Sequence, residues 1–255
     1  VDLALAKAKA NGAGIVAVRN AFHFGAAGRY ARLIAEQGSV GIVASNTRPL
    51  MPAPGGAEAL VGNNPIAIAA PSEGDFFPEV DMALSASAMG KIRLAEAAGR
   101  SIPEGWAVDA DGVATTDPTA AITGMLLPAA GPKGFGLAFM IDLLCGGLSG
   151  GAMGAEVRPL YGDPTQAYRS SQLFLAIDVG SLGSLDEFRR RSSGQSARVT
   201  ASRKAPGVAR VYAPGELAHA ARASSGGKLS LPPSTVAGLK RAAELAGVSV
   251  QEFQL

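Results

Sequence analysis

Apolar and polar positions fall into short blocks along this chain, and the period of the blocks changes several times. Residues 2–10 (DLALAKAKA) carry helical spacing and are stopped by Gly12 and Gly14. Ile15–Val18 reads as a short buried strand that enters a loop at Asn20. Residues 28–37 read as a helix with Gly38 as its C-terminal stop, and Val40–Ala44 as a second strand. Strand, loop, helix and strand together make one α/β unit. From residue 45 to 65 the pattern is irregular, punctuated by Pro49, Pro52, Pro54, Gly55, Gly56 and Gly62. A loop of that length inside a compact domain is often functional.

Further along, Ile66–Ala70 reads as a buried strand closed by Pro71, Asp81–Leu84 as another strand, and Ser85–Ala98 as a helix. Trp106–Asp109 and Val113–Thr115 flank Asp111-Gly112, a hairpin signal. Pro132-Lys133-Gly134 opens a helix that reaches Leu148, since a proline at a helix start gives up only an N–H that has no partner there. That helix is apolar nearly all round and is expected to be central and buried. A glycine-rich turn at 149–154 follows. Next come a strand at Leu173–Val179, a helix at Leu185–Arg191, a strand at Ala209–Tyr212, and helices near 215–224 and 234–246. No internal repeat and no domain linker is visible.

The chain has 255 residues, of which 47% are hydrophobic and 17% charged, enough for a sizeable core and against disorder. Its 33 glycines imply many tight turns and close backbone approaches. Net charge is only +2, and the run Arg189–Arg191 follows Asp186 and Glu187 as a solvated helix face would, so nucleic acid is not an expected partner. The single cysteine, Cys145, sits in an apolar run. It forms no internal disulfide or zinc cluster, and it reads as a buried residue in a reducing, cytoplasmic protein with no metal site. The longest apolar stretch, Gly134–Leu148, is shorter than the roughly 20 residues of a membrane helix and contains Asp142, so no membrane is expected. No signal peptide is visible. The chain opens on Val1, and a leading segment is expected to have been removed or to lie outside these residues.

The glycine fingerprint of a Rossmann dinucleotide site, G-x-G-x-x-G, is absent, and so is any P-loop; His23-Phe24-Gly25-Ala26-Ala27-Gly28 has only two of the glycines. Two histidines are present. His23 lies between a strand and a helix, flanked by phenylalanines, and an imidazole there can exchange a proton with a substrate hydroxyl or serve as a hydrogen-bonded structural group. His219 falls in a surface helix and reads as structural. Lys133 stands where a helix start offers unpaired N–H groups to an anion, with a snorkelling surface lysine as the alternative. Asp81 could accept ribose hydroxyls or cap a helix. Asn46 and Thr47 end a strand, where ligand groups and turn residues look alike.

These segments, taken in order, resemble the malate/L-lactate dehydrogenases of the type that includes ureidoglycolate dehydrogenase. The resemblance rests on NAFHFGAAGRYARLIAEQGSVGIVASNT, GGAEALVGNNPIAIAAP, DMALSASAMGKI, IPEGWAVDADGVATTDP, LLPAAGPKGFGLAFMIDLL and APGE, six blocks spread over residues 15–247. It implies an α/β fold that is not of the Rossmann type, with a mixed, largely antiparallel sheet and flanking helices. It implies a cofactor-binding and catalytic domain over 15–180, with residues 1–14 and 181–255 forming a mainly helical part packed against it. It implies binding of NAD or NADP and reversible oxidation of a small 2-hydroxy acid to the 2-keto acid, or reduction of a cyclic 2-carboxy imine, with a homodimer as the common assembly. His23 matches the family's proton acceptor; Asn46, Thr47, Asp81, Met82, Ala83 and Lys133 match segments that meet cofactor or substrate. Two departures stand out. The family's G-T-N-P loop reads Gly62-Asn63-Asn64-Pro65 here, and the family's N-terminal helical segment, with its Ser-His and substrate-binding arginines, is not among these residues. A chain without that segment is expected to bind cofactor poorly or to be inactive, a non-catalytic cofactor binder.

Overall fold

A computed structural model describes residues 1–249; residues 250–255 of the expected helical part lie outside them. In chain order, α1 (Asp2–Asn11) leads into β1 (Ala13–Ala21), α2 (Ala27–Glu36) and β2 (Ser39–Ser45). The stretch expected to be irregular contains two short paired strands, β3 (Met51–Pro52) and β4 (Ala59–Val61). β5 (Ile66–Ala69) and β6 (Glu79–Met82) pair with each other. After α3 (Met89–Ala97) come β7 (Ala107–Val108) and β8 (Ala114–Thr115), the expected hairpin, then α4 (Pro118–Thr123) and β9 (Met125–Leu126). α5 (Pro132–Asp142) continues as a π-helix over Leu143–Gly147. β10 (Ser170–Asp178), α6 (Leu185–Thr200), α7 (Glu216–Ser224) and α8 (Pro233–Ala246) complete the described elements.

Several elements differ from the pattern read off the sequence. α3 starts at Met89 rather than Ser85, because Ser85 is held in a bridge to Pro128 and its hydroxyl bonds the Ser87 carbonyl. α4, six residues long and capped by Asp117, is too short to show a helical period. α6 runs on to Thr200: Ser184 caps it, and the serines past Arg191 stay helical on a polar surface. The expected strand at 209–212 is not formed. β1 does not end at Asn20 but passes through it with φ 54° and a register shift between Val18 and Ala21. Such a bulge bends the strand and re-aims whatever follows it.

The main sheet has the order β1-β10-β2-β5-β6, and every neighbouring pair is antiparallel. β1 and β2 therefore run parallel with β10 inserted between them, a split β-α-β arrangement. β10 is buried along almost its whole length because both sheet faces are covered. Alternate side chains sort to the two faces, as the period of two requires. Val43, Ala67, Ala69, Phe174 and Ala176 meet α1 and α2, whereas Ala44 and Leu173 join a second cluster with Met51, Leu126, Ala138, Ile141 and Cys145. α2 lies close because its inward face is Ala27, Gly28, Ala31, Ile34 and Ala35.

α5 corrects an expectation. Its apolar composition pointed to burial all round, but within the helix and its π extension only Gly134, Ala138, Ile141, Asp142, Cys145 and Gly146 are buried, with Phe135 partly buried against the core. Leu137, Phe139, Met140, Leu143, Leu144 and Leu148 are 37% to 61% exposed. Among the described residues no helix is long and apolar enough to cross a membrane.

The chain divides into two compact units, Val1–Glu216 and Leu217–Leu255. The second contains most of α7 and all of α8, which ends at Gly247 in the left-handed conformation.

Within the first unit, α2 and β6 are clamped by a two-pronged ion pair. Arg32 Nε and Nη2 each donate to a Glu79 carboxylate oxygen at 2.8 Å. The side chains are 15% and 7% exposed, so removing one charge strands the other in a poorly solvated place. Glu79→Gln is expected to cost about 3 kcal/mol of unfolding free energy in urea melts. Arg32→Met with Glu79→Met should cost distinctly less; an equal loss in both variants would show that packing, not the stranded charge, carries the effect.

Candidate active site

The sheet's register collects one end of every main strand. Ala21 of β1 faces Ser170 of β10, Gln172 faces Ser45 of β2, Ala44 faces Ile66 of β5, and Ile66 faces Met82 of β6. The C-terminal ends of β1, β2 and β6 and the N-terminal ends of β10 and β5 thus share one edge. His23 stands two residues beyond β1, Asn46 and Thr47 directly follow β2, Asp81 and Met82 close β6, and Ala83 follows it. At this edge the structure brings together six of the seven residues picked out from the sequence. The seventh, Lys133, is exposed on the first turn of α5. Its helix is tied to the same region: Ala129 N–H donates to Leu84 O at 2.9 Å, and the Asn64 amide donates to Ala138 O at 2.8 Å.

His23 is exposed, and the segment before it is fixed. Gln172 Nε2 donates to Phe22 O at 2.8 Å, and the Phe22 ring meets Tyr168 edge-on with centroids 5.5 Å apart. Gly25 N–H donates to His23 Nδ1 at 3.2 Å. As the acceptor of that bond, Nδ1 carries no hydrogen, which leaves the ring N–H on Nε2. Behind it, Phe24 stacks on Tyr30 and both meet Phe174 edge-on, anchoring the turn into α2.

Asp81 reaches the start of α2, where its Oδ2 accepts from Gly28 N–H at 3.0 Å. A carboxylate at a helix N-terminus satisfies an N–H that would otherwise lack a partner and suits the dipole. Residue 28 has to be glycine, because a Cβ there would stand 2.8 Å from that same oxygen.

Asn46 is fully buried and its amide is spent inside the protein. Nδ2 donates to Asp142 Oδ1 and to Ala152 O, both at 2.8 Å, and Oδ1 accepts from Ser171 N–H at 2.7 Å. Thr47 is partly buried: its N–H donates to Asn64 Oδ1 at 2.9 Å and its hydroxyl to Asn63 Oδ1 at 3.0 Å. Asn63, where the family motif has threonine, thus serves as an acceptor for Thr47. Gly62 is enforced by proximity, since a Cβ would fall 2.3 Å from Thr47 Oγ1.

Asp142, which the sequence offered only as a charge inside an apolar helix, completes the hub. Its Oδ2 accepts from Gly154 N–H at 3.0 Å. Burial lifts its carboxyl above the usual carboxylate range, opposed by the Asn46 and Gly154 donors. Beside it, burial first and the Asp142 charge second push the Cys145 thiol up to about 12, so Cys145 is an inert buried thiol. Arg48 was also missed: it is partly buried, and among the described residues its guanidinium donates only to Pro49 O at 3.4 Å. A single sequence carries no signal for the burial of either side chain.

The donor set fits a nicotinamide dinucleotide in kind. α5 begins at Pro132 after Ala130 at φ 53° and the N-cap Gly131 at φ 59°, and no side chain caps its first turn, where Lys133 stands. A groove of about 1380 Å³ lies at the opposite sheet end between α6 and Val40, Ile177 and Val179. It contains none of these residues, and its size does not outweigh the chemistry gathered at the other edge.

Comparison with known proteins gives the context. A sequence model of the malate/L-lactate dehydrogenase family matches residues 1–240. Ureidoglycolate dehydrogenase (NAD(+)) of Escherichia coli is 40% identical over 216 residues, covering 85% of this chain and 61% of the relative. Sulfolactate dehydrogenase from Methanocaldococcus jannaschii superposes with a TM-score of 0.90 at 36% identity, over 99% of this chain and 72% of that one. Delta1-piperideine-2-carboxylate reductase from Pseudomonas syringae superposes with a TM-score of 0.81 at 33% identity, over 96% and 71%. The chain spans about three fifths of the length of the curated relatives it matches.

The hub makes a pH prediction. A carboxyl whose folded-state pKa lies above its unfolded value favours folding while protonated, and that contribution is lost as pH rises through the folded value. Wild type should therefore gain stability from this carboxyl as pH falls from neutral through its raised folded value toward the unfolded aspartate value of about 3.9. Asp142→Asn should lack that slope and lose about 1–3 kcal/mol at neutral pH, because an NH2 group would face the Asn46 or Gly154 donor. Urea midpoints measured across this range check it; parallel curves for the two proteins would contradict it.

Proposed function

Because the chain belongs to the malate/L-lactate dehydrogenase family, we propose that it takes part in the NAD- or NADP-dependent, reversible oxidation of a small 2-hydroxy acid to its 2-keto acid. The observation that carries the reading is the shared sheet edge: an accessible imidazole, the Thr47 turn and the Asp81–Ala83 segment converge there, next to a helix start left open for an anion.

The dinucleotide supplies the hydride acceptor. Lys133 and the first N–H groups of α5 bind negative charge on cofactor or substrate. Asp81 anchors the start of α2 and so holds the turn that carries His23. Thr47, Met82 and Ala83 present the strand-end surface against which cofactor and substrate lie. Asn46 has no free polar atom, so it acts by holding Thr47 in place rather than by touching a ligand. His23 takes the hydroxyl proton. In the tautomer favoured by Gly25 the free lone pair is on Nδ1, and the long 3.2 Å contact is the one a substrate hydroxyl displaces. In the reverse direction the same nitrogen returns the proton to the forming alkoxide.

A second reading is favoured by the structural likeness to a piperideine-2-carboxylate reductase: reduction of a cyclic 2-carboxy imine at the same edge, with His23 as proton donor. We further propose that a second copy of the chain covers the apolar outer face of α5 as a homodimer, and that the protein works in the cytoplasm, in keeping with its buried free thiol.

The chemistry is tested by following reduced-cofactor absorbance with a panel of 2-hydroxy acids and a cyclic 2-carboxy imine. His23→Ala is expected to lower kcat on the preferred substrate by about 10²–10⁴-fold; unchanged kcat would remove His23 from the reaction. Turnover of the imine alone would select the second reading, and NADH binding by fluorescence without any turnover would identify a non-catalytic binder. For the assembly, light scattering should give a dimer that Met140→Glu with Leu144→Glu converts to monomer; a monomeric wild type would end that part of the proposal.

A further inference from the structure

Basic side chains among the described residues are, with few exceptions, exposed. Among the described residues only Arg32, Arg48 and Arg189 are partly buried. Arg32 is paired with Glu79 and Arg189 with Asp186. Arg48 pairs with no carboxylate among the described residues, and its one hydrogen bond, to Pro49 O at 3.4 Å, is long. Withdrawing a guanidinium partly from water without a counter-charge is unfavourable, and a planar fork of donors so placed is suited to an anion with two or more oxygens.

Its position gives that anion a role. In the order β1-β10-β2, Phe22 and His23 follow β1, Tyr168 precedes β10, and Arg48 follows β2. Tyr168 links the two: its ring meets Phe22, and its hydroxyl, raised first by burial, lies within the field of the Arg48 charge, which opposes that rise. Two strand spacings, about 10 Å of backbone, separate the lines of β1 and β2, and an arginine side chain spans much of that. Resting on the hydroxy-acid reading above, we propose that Arg48 receives the distal acidic group of the substrate, so that the site selects 2-hydroxy acids bearing a second anionic group, carboxylate or sulfonate, in addition to the carboxylate beside the reacting carbon.

The guanidinium binds that group with charge-assisted, two-pronged hydrogen bonds, while the hydroxyl carbon stays within reach of His23. A substrate with a methyl group at the distal position leaves Arg48 unpaired and loses that advantage.

The test is calorimetric titration of the full chain with malate, 3-sulfolactate and lactate, with reduced cofactor present throughout so that no acid is oxidised. Wild type is expected to bind malate, 3-sulfolactate or both about 10–100-fold more tightly than lactate. The acid that benefits tells carboxylate from sulfonate. Arg48→Gln should abolish the margin and leave lactate unchanged, and Arg48→Lys should restore part of it. Thermal melting of both variants should match wild type, since the guanidinium touches only a neighbouring loop carbonyl. An unchanged margin in Arg48→Gln, an equal loss for all three acids, or no binding of any acid overturns the assignment. Failure of the dehydrogenase reading looks different: no acid drives formation of reduced cofactor in a separate assay, while the margin that depends on Arg48 persists.

Discussion

A buried amide has two donors and an acceptor that must all be satisfied, and at Asn46 this requirement joins four parts of the chain that are distant in sequence. The end of β2, the start of β10, the last turn of α5 and the 152–154 loop meet through three hydrogen bonds to one side chain. Because each partner is itself buried, loss of any one leaves a polar group stranded rather than returned to water. The neighbouring positions inherit this rigidity. Thr47 is placed by Asn46 on one side and by Asn63 and Asn64 on the other, and Asn64 in turn holds α5. The accessible, reactive-looking groups stand on a polar scaffold whose hydrogen bonds are made within the protein.

Asp142 carries the cost of this arrangement. A carboxylate among Cys145, Ile141 and the inner face of the sheet is poorly solvated, which is why its proton is held more tightly than usual. Burial first, and the same charge second, raise the adjacent thiol. A neutral residue would pack there at less cost but would leave the Asn46 and Gly154 donors without acceptors.

Local pattern is enough to locate most helices and the strands β2, β5 and β6, because their periodicities and stop residues lie within a few positions of one another. It does not reveal that β10, whose first residue lies 125 positions beyond the end of β2 and farther still from β1, separates the two; that pairing is a long-range event with no local mark. The apolar run from Gly134 to Leu148 reads as buried because composition does not distinguish a protein interior from a face left for another surface. At the candidate site, His23, Asp81 and Lys133 are legible from residue type and placement. Asn46 is legible as a position but not as a role, since nothing in a sequence tells a ligand-binding amide from one consumed by the backbone. Arg48 and Asp142 are invisible at that level because what sets them apart is burial.

His23 hangs from one edge strand of the main sheet and Asp81 lies on the other, with three strands between. Their separation across the sheet rests on four backbone hydrogen-bonded spacings, about 19 Å before twist, with the Asp81 carboxylate fastening the start of α2 to the far strand. The main chain acts here as a fixed gauge. Residues lining the interval can be exchanged while the imidazole and the far anchoring point keep their distance, so a change of shape between them need not disturb the spacing of the two ends.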